Sequence, residues 1–383
     1  MRAHRQRASK VLPIYTFLTM RLKRLELWWR GLWIRILVQL MRRPSPNDAG
    51  PEWGARPFRV LFLRHDRAGD MVVSTGVMRA IARSHATITL DVLASPANAP
   101  IIAGVDYVDR VIAFDKKKLT SYAPTALRLR RARYDAVVDC MVTAPSVTTL
   151  LLVLASGARY RVGISGRGND AAFNITVPPE RRAAPHMVDL IAALAGAFGV
   201  TLSRADRHPI LTITPEELAR AESAWGPRPV LGGQRALINI SAGTLERRWA
   251  DDRYIAVMRH LQDRQSGTVL RVISAPNEEA RGREIAAKGG GSYAATPGIR
   301  DAFALVATAD FVLTPDTSIA HAASAFRVPT VGIYVRGKAE RWGLYGTEGE
   351  TVEHTEPTFD TLEASRVCDA VDRVLAGSIS RRV

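Results

Sequence analysis

The chain of 383 residues contains only two cysteines, Cys140 and Cys368, both in apolar surroundings and without metal-site spacing. They are read as reduced packing residues in a cytosolic setting. No stretch of about 20 uncharged apolar residues occurs, which excludes an ordinary spanning helix. The apolar patch at 11–20 is short, carries Pro13 and is followed by no small-residue cleavage site, so a signal peptide is not expected. Histidines and carboxylates form no cluster with ligand spacing, so a metal-free, cofactor-free site is expected. Gly289-Gly-Gly291 has no following P-loop Lys and Ser or Thr and is read as a helix C-cap. The stretch from Gly163 to Gly168 lacks dinucleotide-binding spacing. No motif that reads RNA or DNA accompanies the net charge of +16, so nucleic acid is not an expected partner.

That charge is unevenly spread. Residues 1–50 contain 11 Arg and Lys against Glu26 and Asp48, a net +9. Within 21–43, Leu22, Leu25, Trp29, Leu32, Trp33, Ile36 and Leu40 recur at helical spacing, flanked by Arg21, Arg24, Arg35 and Arg42 on one side and Lys23 and Arg30 on the other. An apolar stripe with tryptophans and basic margins predicts a helix lying in a membrane interface. The competing reading packs the same helix on the protein itself or on a second subunit. Residues 44–51, rich in Pro, Asn, Asp and Gly, read as a linker.

From Arg59 onward, short apolar strands alternate with amphipathic helices, which predicts parallel sheets covered by helices. Strands are expected at 60–64, 87–93, 110–114, 136–139 and 160–164, with helices at 71–83, 119–131, 146–155 and 187–198. A break near Ser203–His208 precedes a helix capped by Thr214 with Pro215 in its first turn. The alternation then repeats, with strands at 236–240, 269–274, 311–313 and 330–334. The fold class expected is α/β, two doubly wound Rossmann-like domains. The extension and linker span 1–50, the first domain 51–205 and the second 206–360. A last helix in 361–383 is expected to cross back to the first domain.

The stretch Leu313-Thr-Pro-Asp-Thr-Ser-Ile-Ala-His-Ala-Ala-Ser-Ala-Phe-Arg-Val-Pro-Thr-Val-Gly-Ile-Tyr334 reads as strand, sharp capped turn, short helix and second strand. Such a corner aims unpaired N–H groups of Thr317 and Ser318, with the positive end of the helix dipole, at one point where phosphate binds. Asp316 and His321 sit at its rim. In Val60-Leu-Phe-Leu-Arg-His-Asp-Arg-Ala-Gly-Asp-Met-Val-Val-Ser-Thr-Gly76, Gly69 permits a tight turn that presents Asp70 at the start of a helix. Asp70 is there either as a general base or as a helix cap, and the roles are compatible. Arg64, His65 and Arg67 line its loop and would attract a phosphorylated acceptor. In Asn239-Ile-Ser-Ala-Gly-Thr-Leu-Glu-Arg-Arg-Trp249, the small residues Ser241, Gly243 and Thr244 let backbone approach a phosphate beside Arg247 and Arg248, while Trp249 reads as packing. Glu278 opens another helix, as its cap or as a ribose contact.

Taken together and in this order, the three stretches resemble glycosyltransferase family 9, which includes the ADP-heptose:lipopolysaccharide heptosyltransferases. Asp-Thr-Ser-x-x-His-x-Ala with Val-Pro-Thr-Val is similar to that family's donor-binding signature, and Arg-…-Gly-Asp to its opening pattern. Two positions depart: Arg247 stands where Lys is usual, and Gly76 where Pro is usual. The resemblance implies a GT-B type arrangement, the two domains facing across a cleft. It further implies an inverting, metal-independent transferase passing a heptose from ADP-heptose to a lipid-linked glycan of the lipopolysaccharide core, at the inner face of the cytoplasmic membrane. Asp70 would deprotonate the acceptor, and Arg247 and the Asp316–Ser318 corner would hold the leaving diphosphate. A sugar-nucleotide epimerase and a non-catalytic nucleotide-sugar or glycolipid binder are the alternatives.

Overall fold

The computed structural model describes residues 8–41, 51–141, 145–166, 168, 170–179, 186–228 and 233–379, the side chains of 8–24, 246, 378 and 379 excepted. The expected linker at 44–51 therefore falls almost wholly outside the described residues. After helix α1 (Ala8–Met41), the first domain runs β1 (Phe58–Arg64), α2 (Ala68–Ser84), β2 (Ile88–Ala94), β3 (Arg110–Ala113), α3 (Tyr122–Ala132), β4 (Ala136–Asp139), α4 (Val147–Ser156), β5 (Tyr160–Ile164), β6 (Ile175–Val177) and α5 (Met187–Ala192). The second runs α6 (Pro215–Trp225), β7 (Arg235–Asn239), α7 (Asp251–Arg264), β8 (Val269–Ile273), α8 (Glu279–Lys288), β9 (Ser292–Tyr293), α9 (Ile299–Ala307), β10 (Phe311–Pro315), α10 (Ser318–Phe326), β11 (Thr330–Tyr334), α11 (Ala339–Trp342), β12 (Gly349–Glu353) and α12 (Ala364–Ile379).

Among the described residues each domain holds a six-stranded sheet, in the orders β3-β2-β1-β4-β5-β6 and β12-β11-β10-β7-β8-β9. Every pairing is parallel. Parallel strands need crossovers, which put helices on both faces and bury the strands from both sides. The central strands carry continuous apolar runs for that reason: Val60, Leu61, Phe62 and Leu63 of β1, and Phe311, Val312 and Leu313 of β10, are fully buried. The order reverses between β1 and β4 and again between β7 and β10, which are the two points where such sheets open a ligand crevice.

Local chemistry sets the helix ends. Thr214 caps α6, its Oγ1 accepting from Glu217 N at 3.3 Å while Glu217 Oε2 accepts from Thr214 N at 2.9 Å. The glycine triplet ends α8 as expected, with Gly290 at φ +74°. Gly76 in α2 also has a tertiary reason. A β-carbon there would stand 2.7 Å from the carbonyl oxygen of Arg207 and 2.8 Å from that of His208. The inter-domain segment thus lies directly on α2, and Ile210 N donates to Thr75 Oγ1 at 2.7 Å.

Two expectations are corrected. The last helix does not cross back: α12 packs on α7, β11 and β12, and Val367, Ala370, Val371 and Val374 fill the second domain's core. Its apolar stripe is satisfied there, leaving no face for the first domain. In addition, α1 begins at Ala8 and packs on the protein itself, but through a different stripe from the one expected. Leu37 and Met41, with Ile34 and Val38 beside them, pack into the first domain, while Leu25, Trp29, Trp33, Ile36 and Leu40 of the expected stripe are exposed. Positions 34, 37, 38 and 41 form a second stripe at helical spacing. No described helix is long and apolar enough to cross a membrane.

The domains meet along several polar bridges. Tyr345 donates to Asp189 Oδ1 at 2.8 Å, and His186 Nε2 lies 3.0 Å from Gly343 O. Arg300 of α9 pairs with Glu217 and donates to Pro100 O of the first domain at 3.4 Å.

Candidate active site

A cavity of about 790 Å³ lies between the domains, lined by residues that follow β1, β4, β7 and β10. The two switch points therefore face each other across one space.

On the first-domain wall, β1 delivers Arg64, and the chain turns through Asp66 and Arg67 into α2. Arg64 is buried and organises the wall. Its Nε donates to Asp70 O at 2.8 Å, and its Nη1 donates to Cys140 O at 3.0 Å and Asp66 Oδ2 at 3.2 Å, while Nη2 lies 3.7 Å from Asp70 Oδ1. Burial opposes the guanidinium charge, but Asp66, Cys140, Asp70 and Asp139 more than offset it and raise its pKa. Asp70 reaches the cavity at the third position of α2, and its Oδ2 also accepts from Arg67 N at 3.3 Å. It is thus both a cap and a cleft carboxylate. Burial holds the Asp66 carboxyl above its usual range, with Arg64 opposing. Buried behind them, Asp139 accepts from Met141 N at 2.8 Å and is pushed by burial up to about 6.

The second-domain wall is held by Asn239 at the end of β7. Its Nδ2 donates to Thr314 Oγ1 at 2.9 Å and Thr317 Oγ1 at 3.0 Å, and its Oδ1 accepts from Ser241 N at 3.1 Å. Thr317 caps α10, its Oγ1 accepting from Ile319 N at 3.3 Å. As the opening residues of α10, Thr317 and Ser318 present N–H groups with no intrahelical acceptor, and both residues line the cavity. Beside them Arg247 Nη1 lies 3.8 Å from Asp316 Oδ2. Burial raises the Asp316 pKa, with Arg247, Lys338 and Arg67 opposing. His321 is buried and lines the same cavity; burial, then His186, lowers it to about 3, so its ring is neutral.

Of the residues singled out in the sequence, Arg64, Arg67, Asp70, Ser241, Gly243, Arg247, Asp316, Thr317, Ser318 and His321 converge on this cavity. Four lie off its wall. His65 is buried edge-on to Phe114, and burial followed by Lys116 lowers it to about 4, so it attracts no anion. Thr244 is exposed at the start of the turn that carries Arg247. Arg248 and Glu278 pair with each other at 2.9 Å, and Arg281 also holds Glu278 at 3.0 Å. Arg281 is the local partner, three residues on in the first turn of α8, whereas Arg248 comes from the loop after β7, which sequence spacing does not reveal. Trp249 is fully buried and donates to Leu362 O, as a packing residue does.

Comparison with known proteins agrees with this geometry. Residues 125–369, more than half the chain, match the family described as glycosyltransferase family 9 (heptosyltransferase). The chain belongs to glycosyltransferase family 9. Lipopolysaccharide heptosyltransferase 2 of Escherichia coli (strain K12) is 23% identical over 296 residues, covering 72% of this chain and 82% of that protein. The family 9 glycosyltransferase structure from Veillonella parvula superimposes with a TM-score of 0.72 at 15% identity, covering 86% of this chain and 100% of that one. The structure of an E. coli heptosyltransferase with ADP-2-deoxy-2-fluoro heptose gives a TM-score of 0.63 at 18% identity, covering 82% of this chain and 99% of that one. The fold is therefore the two-domain GT-B type, and the protein is a glycosyltransferase.

For this family 9 glycosyltransferase, sequence reading missed Asp66, Lys116, Lys338 and Trp342 on the cavity wall. Asp66 lies two residues beyond β1, and only its pairing with the buried Arg64 marks it out from its neighbours in the loop. Lys338 and Trp342 follow β11, the strand next to β10, so only the sheet order brings them to the site.

Proposed function

We propose that this glycosyltransferase moves a heptose, with inversion and without a metal ion, from ADP-heptose to a hydroxyl of a lipopolysaccharide-core acceptor. The reaction takes place at the inner face of the cytoplasmic membrane, where a lipid-linked acceptor lies. The named relatives and the sugar nucleotide of the E. coli structure support the donor and acceptor classes. One observation carries the reading: Asp70 enters the cavity from the first domain, and Arg247, Asp316 and the start of α10 enter it from the second.

In this scheme the diphosphate rests on the Thr317 and Ser318 N–H groups and on Arg247, with Lys338 nearby. The small residues Ser241 and Gly243 let backbone approach it. Asp316 accepts hydrogen bonds from the sugar. Asp70 accepts the proton of the acceptor hydroxyl as its oxygen bonds to the anomeric carbon. The bond from that carbon to the β-phosphate oxygen breaks, and ADP leaves with the electron pair. Its new charge is met by cations and a helix dipole already in place.

The test is an ADP-release assay with ADP-heptose, with and without a delipidated lipopolysaccharide-core acceptor, in the presence of EDTA. The expected result is ADP release that needs the acceptor, survives EDTA and yields a product of inverted anomeric configuration. Conversion of the donor to another sugar nucleotide without acceptor would identify an epimerase instead. Donor binding without turnover would identify a binder.

A further inference from the structure

We infer that one flank of the first domain, built jointly from α1, α3 and α4, is a docking face for the anionic surface of a lipid bilayer. Helix α1 lies against α4, and α4 against α3. Their inner sides share one core containing Leu37, Met41, Leu129, Leu150 and Val153. That core fixes the three helices relative to one another, so their outer sides form a single surface.

The outer sides are apolar where a monomer's surface is ordinarily polar. On α1, Trp29 is 48%, Trp33 50% and Leu40 70% exposed. Leu151 and Leu154 of α4 and Leu127 of α3 are exposed beside them. Around this patch the charge is predominantly positive, Glu26 being the one acidic residue among the described residues of α1, α3 and α4. Residues 116–133 contain seven Lys and Arg and no acidic residue, and α4 carries no charge at all. Lys117, Lys118, Arg128, Arg130 and Arg131 are exposed, as are Arg30 and Arg35 on α1.

Apolar and aromatic side chains ringed by cations match the boundary between acyl chains and anionic headgroups. A second copy fits poorly, because a two-fold contact would set this positive surface against itself. The surface also points to the site. Lys116, first of the basic run, lines the catalytic cavity alongside Arg67 and Asp70. Membrane docking on this flank therefore brings a lipid-linked acceptor to the cleft along a cationic path. Only this last step rests on the proposed function; the docking face stands without it.

The experiment is flotation of the full-length protein with phosphatidylcholine vesicles, with and without phosphatidylglycerol. It compares the wild type with the doubles Trp29→Ser/Trp33→Ser and Arg128→Glu/Arg131→Glu. These side chains are exposed and lie outside the cavity, so unchanged thermal unfolding and unchanged turnover of a delipidated acceptor are expected. The wild type is expected to float only with anionic vesicles, and each double to lose that binding by about tenfold or more. Brominated lipids are expected to quench the tryptophan fluorescence of the wild type and much less that of the tryptophan double. Failure of the wild type to float, or flotation of both doubles at its level, overturns the inference. So does a lipid-independent dimer in sedimentation that the doubles abolish. Turnover of the delipidated acceptor is measured separately, so a failed docking face is not confused with a failed catalytic reading.

Discussion

A β-carbon on Gly69 would stand 2.8 Å from Cδ2 of His321. Gly69 lies in the first turn of α2 of the first domain and His321 in α10 of the second, so the Asp70 carboxylate is held one residue from a point where the domains touch. Gly69→Ala is expected to force that contact apart and cost about 1–3 kcal/mol of stability. Turnover should fall as well, because Asp70 moves with α2. Adding His321→Ala should recover part of the stability loss, since the new methyl group then has space. Thermal unfolding and kinetics of the two singles and the double measure the coupling. Additive losses would show that the contact is not shared.

Replacing Asp70 by Asn preserves the acceptor for Arg67 N and removes the proton acceptor. A drop in kcat of about 10²–10⁴-fold is expected, with ADP affinity within a factor of about two by calorimetry. Near-normal turnover would exclude Asp70 as the base.

Arg247→Ala is expected to lower kcat by about 10²–10³-fold, the usual loss when a preorganised charge at a leaving group is removed. Arg247→Lys keeps the charge family 9 ordinarily has there and should retain most activity. Equal damage from both variants would make the planar guanidinium, rather than its charge, the essential feature.

Stability should fall in acid. His65 is lowered to about 4 and His321 to about 3, each chiefly by burial, from an ordinary 6.5. Both folded values are depressed below the unfolded value. Below pH 6.5 the unfolded chain therefore binds protons that the folded chain refuses, and stability falls with pH until the folded values are reached. The slope is about 1.4 kcal/mol per pH unit for each histidine. Asp139, raised by burial to about 6, works in the opposite direction below that pH. Urea unfolding from pH 7 to pH 5 checks this; His321→Asn should remove one histidine's share of the slope, about 1.4 kcal/mol per pH unit, and an unchanged slope would refute it.

Gly76→Pro restores the residue usual in the family and should nevertheless destabilise this protein, by about 1–3 kcal/mol. The ring would meet the carbonyl oxygens of Arg207 and His208. A rise in melting temperature would show that the inter-domain segment can move away.

Much of the architecture was legible because parallel α/β units mark themselves: continuous apolar strands, amphipathic helices and capped turns. The strands missed were β6, β9 and β12, two of them three residues or shorter and the third an edge strand of sequence Gly-Glu-Thr-Val-Glu. Such strands take their conformation from a neighbour's hydrogen bonds rather than from their own side chains.

Within the site, Asp70, Arg247 and Asp316–Ser318 could be named from sequence because each follows a strand and precedes a helix or turn, where side chains and N–H groups project beyond a sheet. The order of the strands was decided only in three dimensions. It set β10 beside β7, β11 beside β10 and β8 beside β7, bringing Lys338 to Asp316 and Arg248 to Glu278. It was also tertiary packing that divided α1 into a docked and an exposed stripe. Helical periodicity shows which residues share a face, but what covers that face depends on surfaces contributed by distant parts of the chain.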